Sequence, residues 1–182
     1  MSETRNIVLK RRSTLSYPIS SYIARILWGF CKLLFRILPR HLYSIRSCLL
    51  RLFGSRIGVC VRIDPSVDIL FPWNLIVEDY SSIGRYTVID NPGLVHIYQG
   101  VAISHYCHIC SGSHDYTKDC MPLQMLPIFI KENVWIGTRA FVGPGVTINR
   151  DTVVGACSCV VKDTLDNSLV VGNPARILKK RA

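Results

Sequence analysis

One histidine, His114, lies in a polar segment whose residue types support proton transfer. The segment runs Cys-Ser-Gly-Ser-His-Asp-Tyr-Thr-Lys-Asp-Cys from Cys110 to Cys120. Imidazole titrates near neutral pH, so His114 is suited to take the proton of a hydroxyl group, which is a poor nucleophile until that proton leaves. The alternative is a loop histidine that makes only local hydrogen bonds.

A second set of side chains in this region has the types that bind zinc. Thiols and imidazoles occur there at short spacing. The set comprises His105, Cys107, His108, Cys110, His114 and Cys120. Whether these side chains converge depends on the elements that carry them.

A repeat with a period of six residues predicts those elements. Such a period fits neither an α-helix nor an alternating strand, but it is typical of a solenoid in which each short strand gives one aliphatic side chain to the core. The alternative, a β-sandwich, does not require so many repeats in phase. The four aliphatic series are Ile57, Ile63 and Ile69; Val77, Ile83 and Ile89; Ile97, Ile103 and Ile109; and Ile130, Ile136, Val142, Ile148, Val154 and Val160. Glycine follows three of these positions, as Gly137, Gly143 and Gly155, where we expect turn conformations that other residues avoid.

The register of this repeat argues against the zinc site. Because Ile103 and Ile109 are aliphatic positions, Cys107 takes a small inward position and Cys110 follows an aliphatic one. The two cysteines then have different structural roles, and free cysteine is an ordinary small core residue. We therefore expect no metal. The eight cysteines, without a visible signal peptide, are expected to be free thiols in a reducing cytoplasm.

The repeat has one long interruption, over residues 110–129, and that interruption contains His114. A loop that leaves a rigid solenoid is a common location for function.

The ordered set of motifs resembles the hexapeptide-repeat acyltransferases. The stretch from Asn133 to Ile148 and the motif Gly-Asn-Pro-Ala-Arg at 172–176 are similar to the C-terminal half of that family. The segments 50–57, 71–73 and 111–115 resemble its colanic-acid-type O-acetyltransferase branch. The resemblance covers about residues 42 to 181. It implies a mainly β fold, a left-handed parallel β-helix with an N-terminal helical segment, assembled as a homotrimer with active sites between subunits.

The same resemblance implies acetyl transfer from acetyl-CoA to a sugar hydroxyl in polysaccharide biosynthesis. The family's catalytic histidine occupies this loop, which makes His114 the expected general base for direct attack of the acceptor oxygen on the thioester. Metal-dependent carbonic anhydrases share the fold but place paired histidines in the coil after the loop. Here that coil has no histidine between Gly137 and Phe141.

The resemblance also implies positions for acetyl-CoA. Backbone groups at Thr138 and Ala156 would bond the pantetheine arm, and basic side chains would lie near the nucleotide phosphates. The matching residues are Trp135, Thr138, Ala156, Val161, Lys162, Arg176 and Lys179. Val161 departs from the hydroxyl residue common in the family. Core packing explains Trp135 almost as well, and a solvated charged end explains the basic tail.

Three further residues are candidates for binding the acceptor. Asp90 and Asn91 follow Ile89 at an insertion and are expected to face the same cleft, although a turn explains Asp-Asn-Pro-Gly equally well. Asp115 adjoins His114, and a turn-forming role is the alternative there.

The N-terminal third carries the basic character of the chain. Residues 1–56 contain 11 Lys+Arg and one acid, whereas residues 57–182 contain 11 of each, which argues against nucleic acid as a partner of the main domain. We predict a flexible basic segment at 1–19, a helical arm or cap at 20–56 and the acyltransferase domain at 57–182. The helix at 20–38 either caps the coil or lies on a membrane surface.

The resulting hypothesis is a cytoplasmic polysaccharide O-acetyltransferase, working at the inner face of the membrane if the helix binds lipid. Two alternatives stay open. One is acetylation of another small hydroxyl or amine acceptor, such as serine, an amino sugar or an antibiotic. The other is a non-catalytic trimeric scaffold.

Overall fold

The computed structural model describes Tyr17 and residues 19–181. Two helices come first, α1 (Ile19–Ile37) and α2 (Tyr43–Leu52), and short strands follow. Most of the predicted flexible segment 1–19 lies outside the described residues. In the part of the chain that is described, no helix combines the length and apolarity needed to cross a membrane.

The strands wind into a left-handed parallel β-helix with three faces, as the repeat and the resemblance predicted. Sheet A stacks β1 (Arg56–Ile57), β4 (Leu75–Val77), β7 (Val95–Ile97), β12 (Ile128–Ile130) and β15 (Thr147–Ile148). Sheet B stacks β2 (Arg62–Ile63), β5 (Ser82–Ile83), β8 (Ala102–Ile103), β13 (Trp135–Ile136), β16 (Val153–Val154), β18 (Ser168–Gly172) and β19 (Ala175–Lys180). Sheet C stacks β3 (Asp68–Ile69), β6 (Val88–Asp90), β9 (His108–Cys110), β14 (Phe141–Val142) and β17 (Cys159–Val160). A 3₁₀ turn at Pro72–Asn74 joins the first two coils.

The core confirms the six-residue repeat. Every aliphatic residue of the four predicted series is buried. Members of one sheet stack in register, as Ile83 does on Ile103 and Ile103 on Ile136. Burial of each such side chain contributes about 1.5–3 kcal/mol, so the stacked aliphatics are the main stabilising feature of the coil.

The reason given above for the repeat glycines is wrong. Gly137, Gly143 and Gly155 do not have positive φ, and the left-handed turn positions are held by larger residues such as Tyr106 (φ 59°) and Arg139 (φ 59°). At Gly137 a Cβ would lie 2.7 Å from the backbone nitrogen of Ala156, and at Gly155 one would meet Val171 at the same distance. Gly137 is required because the backbone of the next coil leaves no room for a side chain, whereas a side chain at Gly155 would have to displace a methyl group of Val171.

Both helices pack on the first coil. The Trp28 indole donates to the Ile69 carbonyl at 2.8 Å, and Lys32 pairs with Asp68. Arg46 of α2 is fully buried and donates to the carbonyls of Ile63 (3.0 Å) and Pro39 (2.8 Å). One guanidinium thereby connects α2, the interhelical turn and the coil.

Candidate active site

The chain between β9 and β12 forms an antiparallel hairpin rather than an irregular loop, and it is shorter than the predicted interruption at 110–129 because Cys110 belongs to β9 and Ile128 to β12. Strand β10 (Gly112–His114) pairs with β11 (Leu123–Met125), with His114 opposite Leu123. At the root of the hairpin the buried Ser111 hydroxyl accepts from the Gly93 amide at 2.9 Å and donates to the Gly93 carbonyl at 3.0 Å. The hairpin is therefore anchored to the previous coil, while most of its length is exposed.

His114 lies exposed on this hairpin and is oriented by one backbone contact. Its Nδ1 atom lies 2.8 Å from the Met121 carbonyl oxygen. Because a carbonyl only accepts, Nδ1 carries the proton in this contact. In the neutral imidazole the lone pair is then on Nε2, which points away from the contact. This is the tautomer that a general base requires.

Asp115 serves the turn of the hairpin. Its carboxylate accepts from the Thr117 amide at 3.1 Å and from the Thr117 hydroxyl, and Lys118 lies 3.4 Å away. These hydrogen bonds, that of the Thr117 hydroxyl foremost, lower the pKa of the Asp115 carboxyl. The predicted substrate contact of Asp115 stays a prediction, and the turn-forming alternative accounts for the contacts seen here.

Asn91 does not fit the acceptor role predicted for it. The residue is fully buried, its Oδ1 accepts from the Phe71 amide at 3.1 Å, and its Nδ2 donates to the Phe71 carbonyl at 2.8 Å. Both amide groups are therefore committed to joining two coils. Asp90, the neighbouring candidate, lies on the outer face of sheet C and is half-buried.

Two of the residues predicted to bind acetyl-CoA lie on successive turns of one corner. Thr138 and Ala156 follow β13 and β16, between sheets B and C, and the Cys157 amide donates to the Thr138 carbonyl at 2.9 Å. Trp135 on β13 is 53% exposed, so core packing does not explain it, and its indole donates to the Ser104 hydroxyl at 3.1 Å.

The remaining residues predicted to bind acetyl-CoA lie on the exterior of the coil. Val161 and Lys162 are exposed just after β17, and Arg176 and Lys179 are exposed on β19. Thr138 and Ala156 lie at the corner between sheets B and C. The hairpin with His114 leaves the coil at a different corner, the one between sheets C and A. One chain thus carries His114 and the predicted pantetheine positions at different corners.

Cys107 and Cys110 take the different positions that the repeat register predicted. All eight are free thiols. Cys107 points inward, 1% exposed, with its sulfur 3.2 Å from the Gly137 carbonyl, whereas Cys110 is half-buried on the outer face. Burial raises the pKa of both thiols. Neither is therefore activated as a nucleophile.

Sequence reasoning missed several neighbours of these residues. Ser104 supports Trp135, and a ladder of corner side chains adjoins Thr138, in which Tyr86 stacks on Tyr106 (ring centroids 5.0 Å apart) and Arg139 lies over Tyr106. The six-residue register places these residues at equivalent turns, so the repeat itself contained the signal.

Comparison with known proteins identifies the same family as the sequence motifs. The family model described as Bacterial transferase hexapeptide (six repeats) matches residues 127–162. A protein of Escherichia coli (strain K12), named as the colanic acid biosynthesis acetyltransferase WcaF, is 40% identical over 154 residues, 85% of each chain.

Solved structures with the same fold include two acetyltransferases. A maltose O-acetyltransferase from Clostridium difficile 630 superposes with a TM-score of 0.82 at 25% identity, covering 91% of this chain and 90% of its own. A hexapeptide-repeat acetyltransferase from Vibrio cholerae, solved in complex with acetyl coenzyme A, gives a TM-score of 0.78 at 28% identity over 88% of each chain.

Proposed function

The chain belongs to the hexapeptide-repeat acyltransferases, in the branch of the colanic-acid-type acetyltransferases, and from this membership we propose that it transfers acetyl from acetyl-CoA to a sugar hydroxyl with His114 as general base. The observation that carries the proposal is the 2.8 Å contact between His114 Nδ1 and the Met121 carbonyl. In the neutral imidazole this contact selects the tautomer with its lone pair on Nε2, and that is the tautomer the reaction needs.

The reaction balances without a covalent enzyme intermediate. His114 Nε2 takes the acceptor hydroxyl proton as the oxygen attacks the thioester carbonyl, which forms a tetrahedral oxyanion. Collapse of that intermediate breaks the carbon–sulfur bond, and the imidazolium returns the proton to the CoA thiolate. The raised pKa values of the Cys107 and Cys110 thiols support direct transfer over an acetyl-cysteine route.

Acetyl-CoA is proposed to lie along the corner marked by Thr138 and Ala156. Backbone groups there meet the pantetheine arm, exposed Trp135 borders the thioester, and Arg176 and Lys179 approach the phosphates, to which Arg and Lys are matched. Because His114 lies at another corner of its own chain, the proposed site requires a second subunit, whose hairpin supplies the histidine. We propose a homotrimer.

Asp90 is the proposed acceptor contact. It is half-buried on the outer face of sheet C, and the Gly93 segment that follows it is bonded to the root of the hairpin. A carboxylate there accepts hydrogen bonds from sugar hydroxyls.

Helix α1 is proposed to bind an anionic lipid surface. Opposite its packed side it exposes an apolar stripe, consisting of Ile19, Ile23, Ile26, Leu27, Phe30, Leu33, Leu34 and Ile37. Arg25 and Arg36 lie between the stripe and the coil, where they are exposed although Arg25 contacts the Phe71 ring and Arg36 pairs with Asp68. With 11 basic residues and one acid in residues 1–56, a second copy would bring like charges together, whereas anionic lipid complements them. The enzyme would then work at the inner face of the cytoplasmic membrane, on a lipid-linked sugar.

Flotation with vesicles of neutral and anionic lipid tests the membrane proposal. Phe30→Asp is expected to abolish co-flotation with anionic vesicles without loss of folding, because Phe30 is 77% exposed. Ile45→Asp, at an exposed apolar residue of α2 outside the stripe, should co-float like the wild type. Unchanged flotation of Phe30→Asp, or a change of oligomeric state in its place, would overturn the proposal.

An acceptor screen tests the activity itself. Release of CoA thiol from acetyl-CoA would be followed with free sugars, nucleotide sugars and lipid-linked saccharides, and the product would be treated with hydroxylamine, which cleaves esters and spares amides. We expect acceptor-dependent thiol release and a hydroxylamine-labile sugar product. An amide product would favour an amine acceptor, and no thiol release with any acceptor would favour the scaffold.

A further inference from the structure

Three side chains with metal-ligating atoms converge on the outer face of sheet C, in a place that the acetyl-transfer chemistry does not use as a group. They are Asp90, His108 and Cys110, whose ligand atoms all lie within 4.8 Å of one another. This set differs from the one suggested by the sequence, because Cys107 points into the core and Asp90 comes from the previous coil.

The β-helix fixes this convergence through its register. Asp90 on β6 pairs directly with Cys110 on β9. His108 lies two residues before Cys110 on the same strand, so both side chains project from the same face. Adjacent strands are about 4.8 Å apart, and their backbone hydrogen bonds fix the distance between the strand that carries Asp90 and the one that carries His108 and Cys110.

We propose that Asp90, His108 and Cys110 form a zinc site with three protein ligands and a fourth position open to water. Thiolate, imidazole and carboxylate are the ligands that Zn²⁺ takes, and a mixed sulfur, nitrogen and oxygen set favours it over Mg²⁺ or Ca²⁺.

The distances suit this ion. In a tetrahedral site, ligands at about 2.3 Å (sulfur) and about 2.1 Å (oxygen) from zinc are about 3.6 Å apart. Cys110 Sγ lies 3.8 Å from Asp90 Oδ2, so sulfur and oxygen need to move little to bind one ion. The exposed His108 completes the set, and the edge of Phe141, with ring centroids 5.6 Å apart, supports its imidazole on the side of the next coil.

The location gives the ion a structural consequence. Cys110 immediately precedes Ser111, which anchors the hairpin that carries His114. Zinc at Cys110 would tie the root of that hairpin to the preceding coil at a second point. Since Oδ2 of Asp90 faces the sulfur, Oδ1 stays available for the acceptor contact proposed above.

Without metal, the same contact is explained by a neutral thiol. The Cys110 sulfur lies 3.4 Å from the Gly112 carbonyl and 3.8 Å from Asp90, so its S–H can donate to either acceptor in the absence of zinc. Zinc binding replaces that proton, so it should release a proton and become tighter as the pH rises.

Metal analysis of the full-length protein, kept reduced and dialysed against limiting Zn²⁺, tests the proposal. We expect about one zinc per chain in the wild type and a loss of at least tenfold in affinity in Cys110→Ser and in His108→Ala. Cobalt substitution should give a thiolate-to-cobalt charge-transfer band that Cys110→Ser abolishes. Cys48→Ser, at an exposed cysteine of α2, is the matched control and should keep both signals.

Two results would overturn the zinc site. One is wild-type protein that retains no stoichiometric zinc, and the other is Cys110→Ser that binds zinc as the wild type does. If Cys110→Ser fails to fold, Asp90→Asn provides the same comparison with a side chain of the same shape. None of these readouts depends on acetyl transfer, so the zinc site and the function of His114 fail or stand separately.

Discussion

At the scale of residues, the adjacent pair Asp90 and Asn91 shows how the coil separates structural from functional side chains. Alternate residues of a strand face opposite sides, so Asp90 faces outward while Asn91 at the following corner points in. Sequence alone grouped them because both are polar and follow an aliphatic position. Only the hydrogen bonds of Asn91 to Phe71 show that its amide is already committed.

Asn91→Leu should therefore lower stability and leave acceptor binding unchanged. The substitution leaves the buried Phe71 amide without a partner, which costs about 1–3 kcal/mol, whereas the Phe71 carbonyl keeps its hydrogen bond from the Asn74 amide. Thermal unfolding should show a clear fall in the midpoint, with the KM for the acceptor unaltered. In zinc-free protein Asp90→Asn should show the reverse, an unchanged midpoint and a raised KM for the acceptor. Equal stability of Asn91→Leu and wild type would contradict the structural role.

At the scale of elements, the sequence predicts the position of the interruption at residues 110–129 but not the antiparallel hairpin that forms there. The loss of the six-residue rhythm marked its ends, because aliphatic positions are required wherever the chain faces the core. Its pairing depends on long-range contacts, such as Gly112 opposite Met125 and Ser111 with Gly93, which leave no periodic trace.

Ser111→Ala tests whether the hairpin root positions the base. The variant loses two hydrogen bonds to Gly93, each worth about 1 kcal/mol, while the coil keeps its aliphatic stacking. We expect a lower kcat with the KM for acetyl-CoA unchanged, together with faster hydrogen exchange in residues 111–125. The same kcat as the wild type despite faster exchange would show that His114 does not depend on this anchor.

The helices illustrate what a sequence pattern cannot decide. The apolar residues of α1 predict an amphipathic helix that either caps the coil or contacts a membrane. In the structure Trp28 and Phe35 are buried against the coil, while the opposite stripe is exposed. Which apolar side packs depends on the shape of the first coil, and that is absent from the helix's own sequence.

At the scale of the whole molecule, the proposed site is incomplete within one chain. The hairpin and the Thr138–Ala156 corner lie on opposite sides of sheet C, so the proposed trimer would have to bring the hairpin of one subunit to the corner of another. The fold and the donor could be predicted from the sequence because the repeat and its motifs are local. The resemblance alone implied sites between subunits, and only the assignment of strands to sheets shows that His114 and Thr138 lie at different corners of one chain.

Mixed trimers test this division. His114→Ala removes the base, and Ala156→Trp fills the proposed pantetheine corner, where Ala156 is exposed. Each variant alone should be inactive and trimeric by light scattering. After unfolding and refolding together, the mixture should regain activity, because some interfaces pair an intact hairpin with an intact corner. Absence of any recovery in verified mixed trimers would place the whole site within one chain.

The most direct test of the central claim compares His114→Ala with the wild type in acetyl transfer to the acceptor found in the screen. Removal of a general base costs about 10²–10⁴-fold in rate. We predict a fall in kcat within that range, an unchanged KM for acetyl-CoA and an unchanged thermal midpoint, with His41→Ala, at an exposed histidine between the helices, as active as the wild type. Wild-type kcat in His114→Ala would contradict the assignment of His114 as the base.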